Sequence, residues 1–269
     1  MFVEVKGHKT FVNLNGHEFD SEKPSIVFVH GAAMEQSVWA AQSRYFAYHG
    51  YNSLAVNLPG HGPSSSPNKS EGEAPTTISA YGEWIVDFLD ALKIDKVTLV
   101  GHSMGTLVGL EVAANHPDRL EKMILVGAAP SMPVHPALVD AASKDDWLAE
   151  ELMTSWGHGL GGHLGGNKAN GVWMKGTALS VFGNSADQLI YNDLSACAAY
   201  ETGMESAARI TCPTLIISGK DDKMTPAKQG AKLTSAIADC RNVVLPVGHM
   251  MPTEAPNQVL DLMIEFTAA

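Results

Sequence analysis

A glycine-flanked serine, in the sequence Gly-His-Ser-Met-Gly at residues 101–105, constrains the fold of this chain more than any other feature. A short apolar, β-branched run at residues 96–100 directly precedes it, and a helical pattern starting at Thr106 directly follows. The small neighbours leave room for a sharp turn in which the serine takes a strained backbone conformation and its hydroxyl projects from the end of the strand. The N-terminus of the following helix points free N–H groups at the same place, where they favour negative charge. The sequence therefore predicts a strand, a tight turn and a helix that present Ser103 as a nucleophile.

The rest of the chain alternates between short apolar runs and helical patterns. Residues 1–19 are predicted to be extended, with a turn at residues 15–16, Asn-Gly. Residues 25–29 are almost continuously apolar, as expected of a strand buried on both faces, and residues 77–92 place their apolar side chains on one helix face. The same reasoning predicts further strands at residues 52–57, 96–100, 123–126, 214–218 and 242–245, and further helices at residues 38–49, 227–237 and 254–266. Such alternation predicts an α/β fold with a mostly parallel central sheet and helices on both faces.

One long stretch, residues 131–209, interrupts this alternation. It has helical patterns without strand signals, and residues 157–171 within it are dense in glycine. Because the stretch lies between two predicted strands, we expect a helical cap inserted into a core made of residues 1–130 and 210–269. Residues 63–75, rich in Pro, Ser and Gly, are predicted to form an exposed loop.

Composition and charge narrow the classes of function. The 45% hydrophobic and 17% charged residues predict a sizeable core and argue against disorder. The net charge of −11 argues against nucleic acid or an anionic membrane as partner, since both need basic patches. Three widely spaced cysteines, Cys197, Cys212 and Cys240, fit neither a disulfide framework nor a zinc site. With no nucleotide or flavin motif either, we expect neither a metal nor a cofactor.

The N-terminus and the length of the apolar runs bear on the location of the protein. The N-terminus has no basic segment followed by an apolar one, and no run of about eighteen apolar residues occurs. We therefore expect a cytoplasmic protein that binds a small molecule. A homo-oligomer is compatible with everything in the sequence.

A serine hydroxyl is a useful nucleophile only when a base takes its proton and an acid orients that base. His249 follows the last predicted strand and precedes the last helix, at the kind of strand end where α/β sheets place their ligands. Asp221 and Asp222 both follow the penultimate strand, and both are candidates for the acid. A backbone N–H within residues 30–32, after the early buried strand, is positioned to join the N–H of Met104 in an oxyanion hole.

These motifs, in this order, resemble those of the α/β-hydrolase superfamily over nearly the whole chain outside the insertion. The matching segments are residues 30–31 with Trp39, residues 57–64, residues 101–105, residues 219–222 with Pro226, and residues 248–249. The resemblance implies the α/β-hydrolase fold, with Ser103 as nucleophile and His249 as base. The family's acid usually stands three residues after the glycine, which selects Asp222. The resemblance also implies Ala32 and Met104 as the oxyanion donors.

Two features qualify the resemblance. Asn57 stands where the family often has aspartate, a departure that we expect to affect loop structure rather than chemistry. The serine at position 103 disfavours the activities of similar dehalogenases and epoxide hydrolases, which use an aspartate there.

The composition of the insertion indicates the chemistry of the substrate. Before Arg209 the insertion is almost without arginine, the residue best suited to bidentate binding of carboxylate or phosphate. Its many apolar and aromatic residues predict an apolar acyl or aryl pocket and an uncharged substrate. The residues expected to line this pocket are His30, Ala33, His102, Trp156, Trp173 and Met250.

Three functions are compatible with these residues. The first is a serine esterase that cleaves small to medium uncharged carboxylic esters through an acyl-enzyme on a Ser-His-Asp triad. The second is a hydrolase of C–C bonds or lactones on the same triad, although residues 30–34 have fewer glycines than the oxyanion loop usual in hydrolases of meta-cleavage products. The third is a small-molecule receptor that retains the fold.

Overall fold

A single eight-stranded sheet forms the centre of the protein. The computed structural model describes residues 1–64, 75–163 and 173–268. The strands are β1 (Phe2–Val5), β2 (His8–Asn13), β3 (Ser25–Val29), β4 (Asn52–Val56), β5 (Val97–His102), β6 (Leu120–Val126), β7 (Thr214–Gly219) and β8 (Cys240–Leu245). They are ordered β1-β2-β4-β3-β5-β6-β7-β8. The six strands from β3 to β8 run parallel, whereas β2 pairs antiparallel with both β1 and β4.

Helices cover both faces of the sheet. Those in the described residues are α1 (Ala40–Tyr48), α2 (Ile78–Ala91), α3 (Met104–Asn115), α4 (Pro136–Ser143), α5 (Leu148–Gly157), α6 (Leu160–His163), α7 (Met174–Gly183), α8 (Leu189–Ala198), α9 (Gly203–Ala208), α10 (Ala227–Ala236), α11 (Met251–Glu254) and α12 (Pro256–Ala268). Helix α1 packs beside α12, and α2 packs beside α3. None of these helices has the length and apolar character needed to cross a bilayer.

The central strands are buried on both faces, which explains their continuous apolar sequences. Every residue of β3, β4, β5 and β7 is buried, as in parallel sheets whose two faces are both covered by helices. The strands predicted from apolar runs are confirmed, and β6 begins at Leu120, three residues before the predicted start at Met123. The parallel order brings the carboxyl ends of β3, β5, β7 and β8 to one edge of the sheet.

The N-terminal hairpin differs from the prediction in one detail. The turn at residues 15–16 is present, with positive φ at Asn15 and Gly16. The turn that joins β1 to β2, however, lies at Lys6 and Gly7, which also have positive φ. Lysine is an uncommon residue for that conformation, so the sequence does not mark this turn as strongly.

Between β6 and β7 the described part of the chain is mainly helical. Helices α4 to α9 lie there, and the described residues 131–163 and 173–209 contain no strand. The division of the chain into a core and a separate cap with those bounds stays a prediction. Most of the predicted loop at residues 63–75, and residues 164–171 of the glycine-dense stretch, lie outside the described residues.

Candidate active site

The predicted strand-turn-helix at Ser103 is present. Ser103 lies between β5 and α3 with a φ of +52°, a region in which a non-glycine residue is strained. The flanking glycines allow this turn, because side chains there would strike backbone. A Cβ on Gly101 would clash with the Gly105 carbonyl oxygen, and one on Gly105 would lie 2.6 Å from the Val29 carbonyl oxygen. The steric reason given for the sequence pattern therefore holds in the structure.

His249 and Asp222 form a buried pair at the same edge of the sheet. The Nδ1 of His249 lies 2.8 Å from Oδ2 of Asp222, and the two residues are 2% and 5% exposed. Asp222 also accepts hydrogen bonds from the backbone N–H groups of Met224 and Thr225 and from the Thr225 hydroxyl. Burial alone would raise the pKa of Asp222, but the charge and hydrogen bond of His249, with two hydrogen bonds from Thr225, hold that pKa well below its ordinary value. Asp222 is therefore an anion that orients the ring of His249.

Ser103 and His249 are not hydrogen-bonded to each other. The Nε2 atom of His249 is buried and has no hydrogen-bond partner among the residues that the structure describes. Both residues nevertheless line the same cavity. Catalytic hydrogen bonds are often long in proteins without bound substrate and shorten when substrate binds. Two members of the predicted triad are thus in contact, and the contact of the third stays a prediction.

The two predicted oxyanion donors lie on adjacent segments. Ala32 follows β3 and lines the cavity. Met104 is the first residue of α3, so its N–H has no acceptor within the helix. Gly31 packs so close to the turn at Ser103 that a Cβ on Gly31 would lie 3.0 Å from the Cβ of Ser103. This proximity fits a shared oxyanion hole, and that role stays a prediction.

Not all of the residues predicted to line the pocket do so. Those that line the cavity are His102, Trp156 and Met250. Trp173 is 69% exposed and is not among the described lining residues. The identity of an aromatic residue in the insertion did not determine whether its side chain points inward.

His30 and Ala33 are likewise absent from the described cavity wall, because both are engaged elsewhere. His30 is fully buried; its Nε2 accepts the N–H of Leu58, and its Nδ1 therefore donates to the Gly31 carbonyl. The N–H of Ala33 donates to Asp193, 2.8 Å away. Both residues hold the loop of residues 30–34 in place and do not line the cavity. We call this loop the oxyanion loop, after its predicted role.

The cavity is mainly apolar, and much of its wall comes from residues between β6 and β7. Its volume is about 150 Å³, and it is partly open to solvent. Its apolar wall includes Met34, Met132, Leu138, Met153, Trp156, Phe182, Leu194, Met224 and Met250. No Arg, Asp or Glu occurs among the lining residues that the structure describes, and Lys223 is the one lysine. Methionine side chains are flexible and polarizable, so such a wall adapts to differently shaped apolar groups.

The loop that carries His249 is anchored from two sides. The N–H groups of His249 and Met250 both donate to the Gly157 carbonyl at the end of α5, at 2.9 and 3.0 Å. On the other side, His102 Nε2 lies 3.0 Å from the His249 carbonyl oxygen and donates to it. Burial, and secondarily the charge of His249, lowers the pKa of His102 to about 3, so its ring is neutral. The insertion and the residue before the nucleophile thus fix the backbone of the predicted base.

Sequence reasoning missed two residues that the structure ties to this site. Thr225 stands three residues after Asp222, a spacing at which side chains often bond to a neighbouring backbone, and this spacing was an available signal. Asp193 had no such local signal, since its partner Ala33 is 160 positions away.

Comparison with known proteins identifies the alpha/beta hydrolase fold and several hydrolases of similar sequence or structure. A family model described as the alpha/beta hydrolase fold matches residues 24–256. Among curated proteins, the (E)-2-((N-methylformamido)methylene)succinate hydrolase of Acinetobacter baylyi is 24% identical over 95% of this chain and 96% of that protein. Among solved structures, the enol-lactonase from Burkholderia xenovorans LB400 superposes with a TM-score of 0.88 at 23% identity, covering 100% of both chains. The esterase EaEST from Exiguobacterium antarcticum superposes with a TM-score of 0.83 at 20% identity, over 100% of this chain and 99% of that one.

Proposed function

The chain belongs to the α/β-hydrolase fold family, and we propose that it is a serine hydrolase that cleaves small to medium, uncharged carboxylic esters through an acyl-enzyme. One observation carries this proposal. A buried, ionised Asp222 orients His249. The Nε2 of that ring has no hydrogen-bond partner among the described residues, and the ring lines the same cavity as Ser103. This arrangement is what a base needs to take a proton from a serine hydroxyl.

The proposed reaction proceeds in two halves. The Oγ of Ser103 attacks the ester carbonyl while His249 Nε2 takes the hydroxyl proton, and the carbonyl oxygen becomes an oxyanion held by the N–H groups of Ala32 and Met104. The tetrahedral intermediate collapses, and His249 gives its proton to the departing alcohol. A water molecule then attacks the acyl-enzyme while the same ring takes one of its protons. The bond between the acyl carbon and Ser103 Oγ breaks, His249 gives the proton to Oγ, and the carboxylic acid leaves.

The electrostatics of the site support these roles. The lowered pKa of Asp222 keeps it negative throughout, so that it stabilises the imidazolium form of His249 when the proton is transferred. The neutral state of His102 adds no positive charge that would oppose this step. Each residue thus holds the charge that the proposed mechanism requires.

The wall of the cavity supports the substrate class. Its apolar side chains and the absence of Arg among the described lining residues favour an uncharged acyl group. The cavity has a volume of about 150 Å³ and is partly open to solvent, which favours small to medium groups. A lactone, which is an internal ester, is the second candidate, since the same steps open its ring. The enol-lactonase that shares this fold along its whole length makes lactones a useful arm of the test.

The test compares Ser103→Ala with wild type on p-nitrophenyl esters of increasing acyl length, simple lactones and a vinylogous diketone. We expect wild type to prefer the esters and Ser103→Ala to lose about 10⁴-fold or more in kcat with its fold intact. Ser53→Ala is the matched control: Ser53 is a buried serine whose hydroxyl donates to the Ser43 carbonyl, on β4 and away from the site. It should keep wild-type kcat.

A fluorophosphonate probe adds an independent readout. It should label wild type and Ser53→Ala at Ser103 and leave Ser103→Ala unlabelled. Full turnover by Ser103→Ala would contradict the proposal. A wild-type protein that binds esters but neither cleaves them nor reacts with the probe would identify a receptor, and a preference for the diketone would identify a C–C hydrolase.

A further inference from the structure

A buried charged cluster lies beside the oxyanion loop, and the proposed reaction does not use it. Its centre is Asp193 on α8, which has no exposed surface. The carboxylate lies 2.8 Å from each of three donors, His61 Nε2, the Tyr81 hydroxyl and the N–H of Ala33. A fourth donor, Asn192 Nδ2, lies 3.3 Å away. Burying a carboxylate is costly unless it is paired and fully hydrogen-bonded, so this placement requires the whole set of partners.

Asp193 and His61 form an ion pair. Both ring nitrogens of His61 lie near acceptors, Nε2 by Asp193 and Nδ1 by the Pro59 carbonyl at 3.0 Å, so both carry protons. Burial would lower the pKa of His61, but the charge and hydrogen bond of Asp193 outweigh it and raise that pKa. Burial would raise the pKa of Asp193, and His61, Ala33 and Tyr81 together lower it. The contacts and both shifts favour the charged form of the pair.

The cluster is hydrogen-bonded to the oxyanion loop at a strained residue. Ala33 has a φ of +53°, which a non-glycine residue adopts only when its surroundings hold it there. Its N–H is held by Asp193, and its carbonyl accepts a hydrogen bond from the Ser185 hydroxyl at 3.2 Å. Both partners belong to the stretch between β6 and β7, so the conformation of this loop depends on the insertion.

The same loop sets the direction of the Ala32 N–H. That N–H belongs to the peptide whose carbonyl is on Gly31, and a planar trans peptide points its N–H and C=O in opposite directions. The Gly31 carbonyl is fixed by His30 Nδ1 at 2.8 Å and by the N–H of Met34 at 3.2 Å. The ring of His30 in turn packs against His61, with centroids 4.6 Å apart.

We propose that Asp193 is a positioning residue for the oxyanion loop. By holding Ala33 directly, and His30 through His61, it fixes the direction in which Ala32 presents its N–H to the reacting carbonyl. The inference rests on the proposed function of Ser103 and its oxyanion donors. Leu194 and Cys197 on the same helix line the cavity, so α8 links the fit of the substrate to the geometry of the oxyanion hole.

The principal test is Asp193→Asn. The amide keeps the size of the side chain, and its oxygen can still accept from Ala33 and His61. The charge is lost, and the NH₂ replaces the oxygen that accepts from Tyr81 and Asn192. We expect kcat to fall by about 10-fold to 100-fold with KM changed by less than about twofold. The reason is that the oxyanion contact forms in the transition state and not in the bound substrate.

A second readout separates positioning from general loosening of the fold. A trifluoromethyl ketone binds Ser103 as an oxyanion-bearing hemiketal, whereas the matching secondary alcohol binds the cavity without forming an oxyanion. Asp193→Asn should lower the affinity for the ketone by about the same factor as kcat/KM and leave the affinity for the alcohol unchanged.

Glu111→Gln is the matched control. Glu111 on α3 is also a buried carboxylate, and it accepts from the hydroxyls of Tyr200, Ser206 and Ser79 rather than from the oxyanion loop. Its loss should lower stability without changing kcat or the affinity of the ketone. Equal losses of kcat in Asp193→Asn and Glu111→Gln, measured on fully folded protein, would overturn the inference.

The remaining outcomes are also decisive. A wild-type protein without turnover would contradict the proposed function, whereas an active wild type with an unchanged Asp193→Asn would contradict only the positioning role. If Asp193→Asn does not fold, Tyr81→Phe is the second variant, because it removes one donor from Asp193. It should lower kcat and the affinity of the ketone by the same few-fold factor, and unchanged values would overturn the inference.

Discussion

Thr225 connects two residues of the proposed triad through one hydroxyl. Its Oγ1 lies 2.8 Å from Asp222 Oδ2 and 3.1 Å from His249 Nδ1. Because an ionised carboxylate only accepts, the hydroxyl donates to Asp222. The oxygen that receives this bond is the one that orients the imidazole, so Thr225 limits the ways in which the carboxylate can rotate.

Replacing Thr225 by valine tests this role, since valine has nearly the same shape without the hydroxyl. A hydrogen bond to a charged group contributes about 1.5–3 kcal/mol, and part of this loss should appear in the transition state. We expect Thr225→Val to lower kcat by about 3-fold to 10-fold with little change in KM. Thr225→Ser keeps the hydroxyl and should restore most of the rate; steady-state kinetics of the three proteins on one ester are sufficient. Wild-type kcat in the valine variant would contradict the role.

The sequence is informative about a residue when its function depends on neighbours in the chain. Ser103 is marked by the glycines of its turn, and His249 and Asp222 by strand ends that precede them. Asp193 is not marked, because its partners Ala33 and Tyr81 are 160 and 112 positions away and only the folded chain brings them together. His30 illustrates a different limit: its position beside the site is predictable, whereas the direction of its ring depends on the N–H of Leu58.

At the scale of elements, the turn between β5 and α3 depends on how closely α3 approaches β3. A Cβ on Gly105 would lie 2.6 Å from the Val29 carbonyl oxygen and 2.8 Å from that of His30. Both atoms are backbone, one in β3 and one directly after it, and cannot move aside as a flexible side chain can. The glycine is thus required by the packing of a helix on a strand as well as by the turn.

Gly105→Ala should therefore destabilise the protein by about 1–3 kcal/mol or more, the range for overpacking a tight core. Gly161→Ala is its matched control, because a Cβ on Gly161 in α6 would meet nothing within 4 Å. The control should leave the midpoint of urea unfolding nearly unchanged, while Gly105→Ala lowers it. Equal midpoints for the two variants would show that the predicted clash is relieved at no cost.

Strands could be predicted from the sequence where burial on both faces gives a run of consecutive apolar residues. The strands β3 and β7 are buried along their whole length, so their sequences need no alternation to be recognised. The hairpin of β1 and β2 was harder, because its turn at Lys6 uses a residue with no preference for positive φ. A local pattern is a weak guide where pairing with a neighbouring strand fixes the backbone.

For the molecule as a whole, the buried histidines link stability to pH in two opposite directions. Burial, with smaller effects of nearby histidines, lowers the pKa of His30 and of His102 to about 3. In the unfolded chain a histidine titrates near its ordinary pKa of 6.5, so between about pH 3 and 6.5 the unfolded state binds more protons and stability falls as pH falls. The raised pKa of His61 acts the other way: the stability that it contributes is present below about pH 6.5 and is lost as pH rises through its folded pKa.

The free energy of unfolding should therefore be greatest near neutral pH and should fall on the acid side with a slope of up to two protons from His30 and His102. His158 adds to this slope, because burial lowers its pKa as well. Each proton corresponds to about 1.4 kcal/mol per pH unit. His102→Asn should reduce the slope between pH 4 and 6 by about one proton, since it removes one of these groups. His17→Asn is the control, because its curve shows the effect of losing an imidazole that is exposed rather than buried. Urea unfolding at half-unit steps of pH measures all three curves. An unchanged slope in His102→Asn would mean that the ring of His102 is protonated in the folded state, and a neutral His102 beside the proposed base would no longer be tenable.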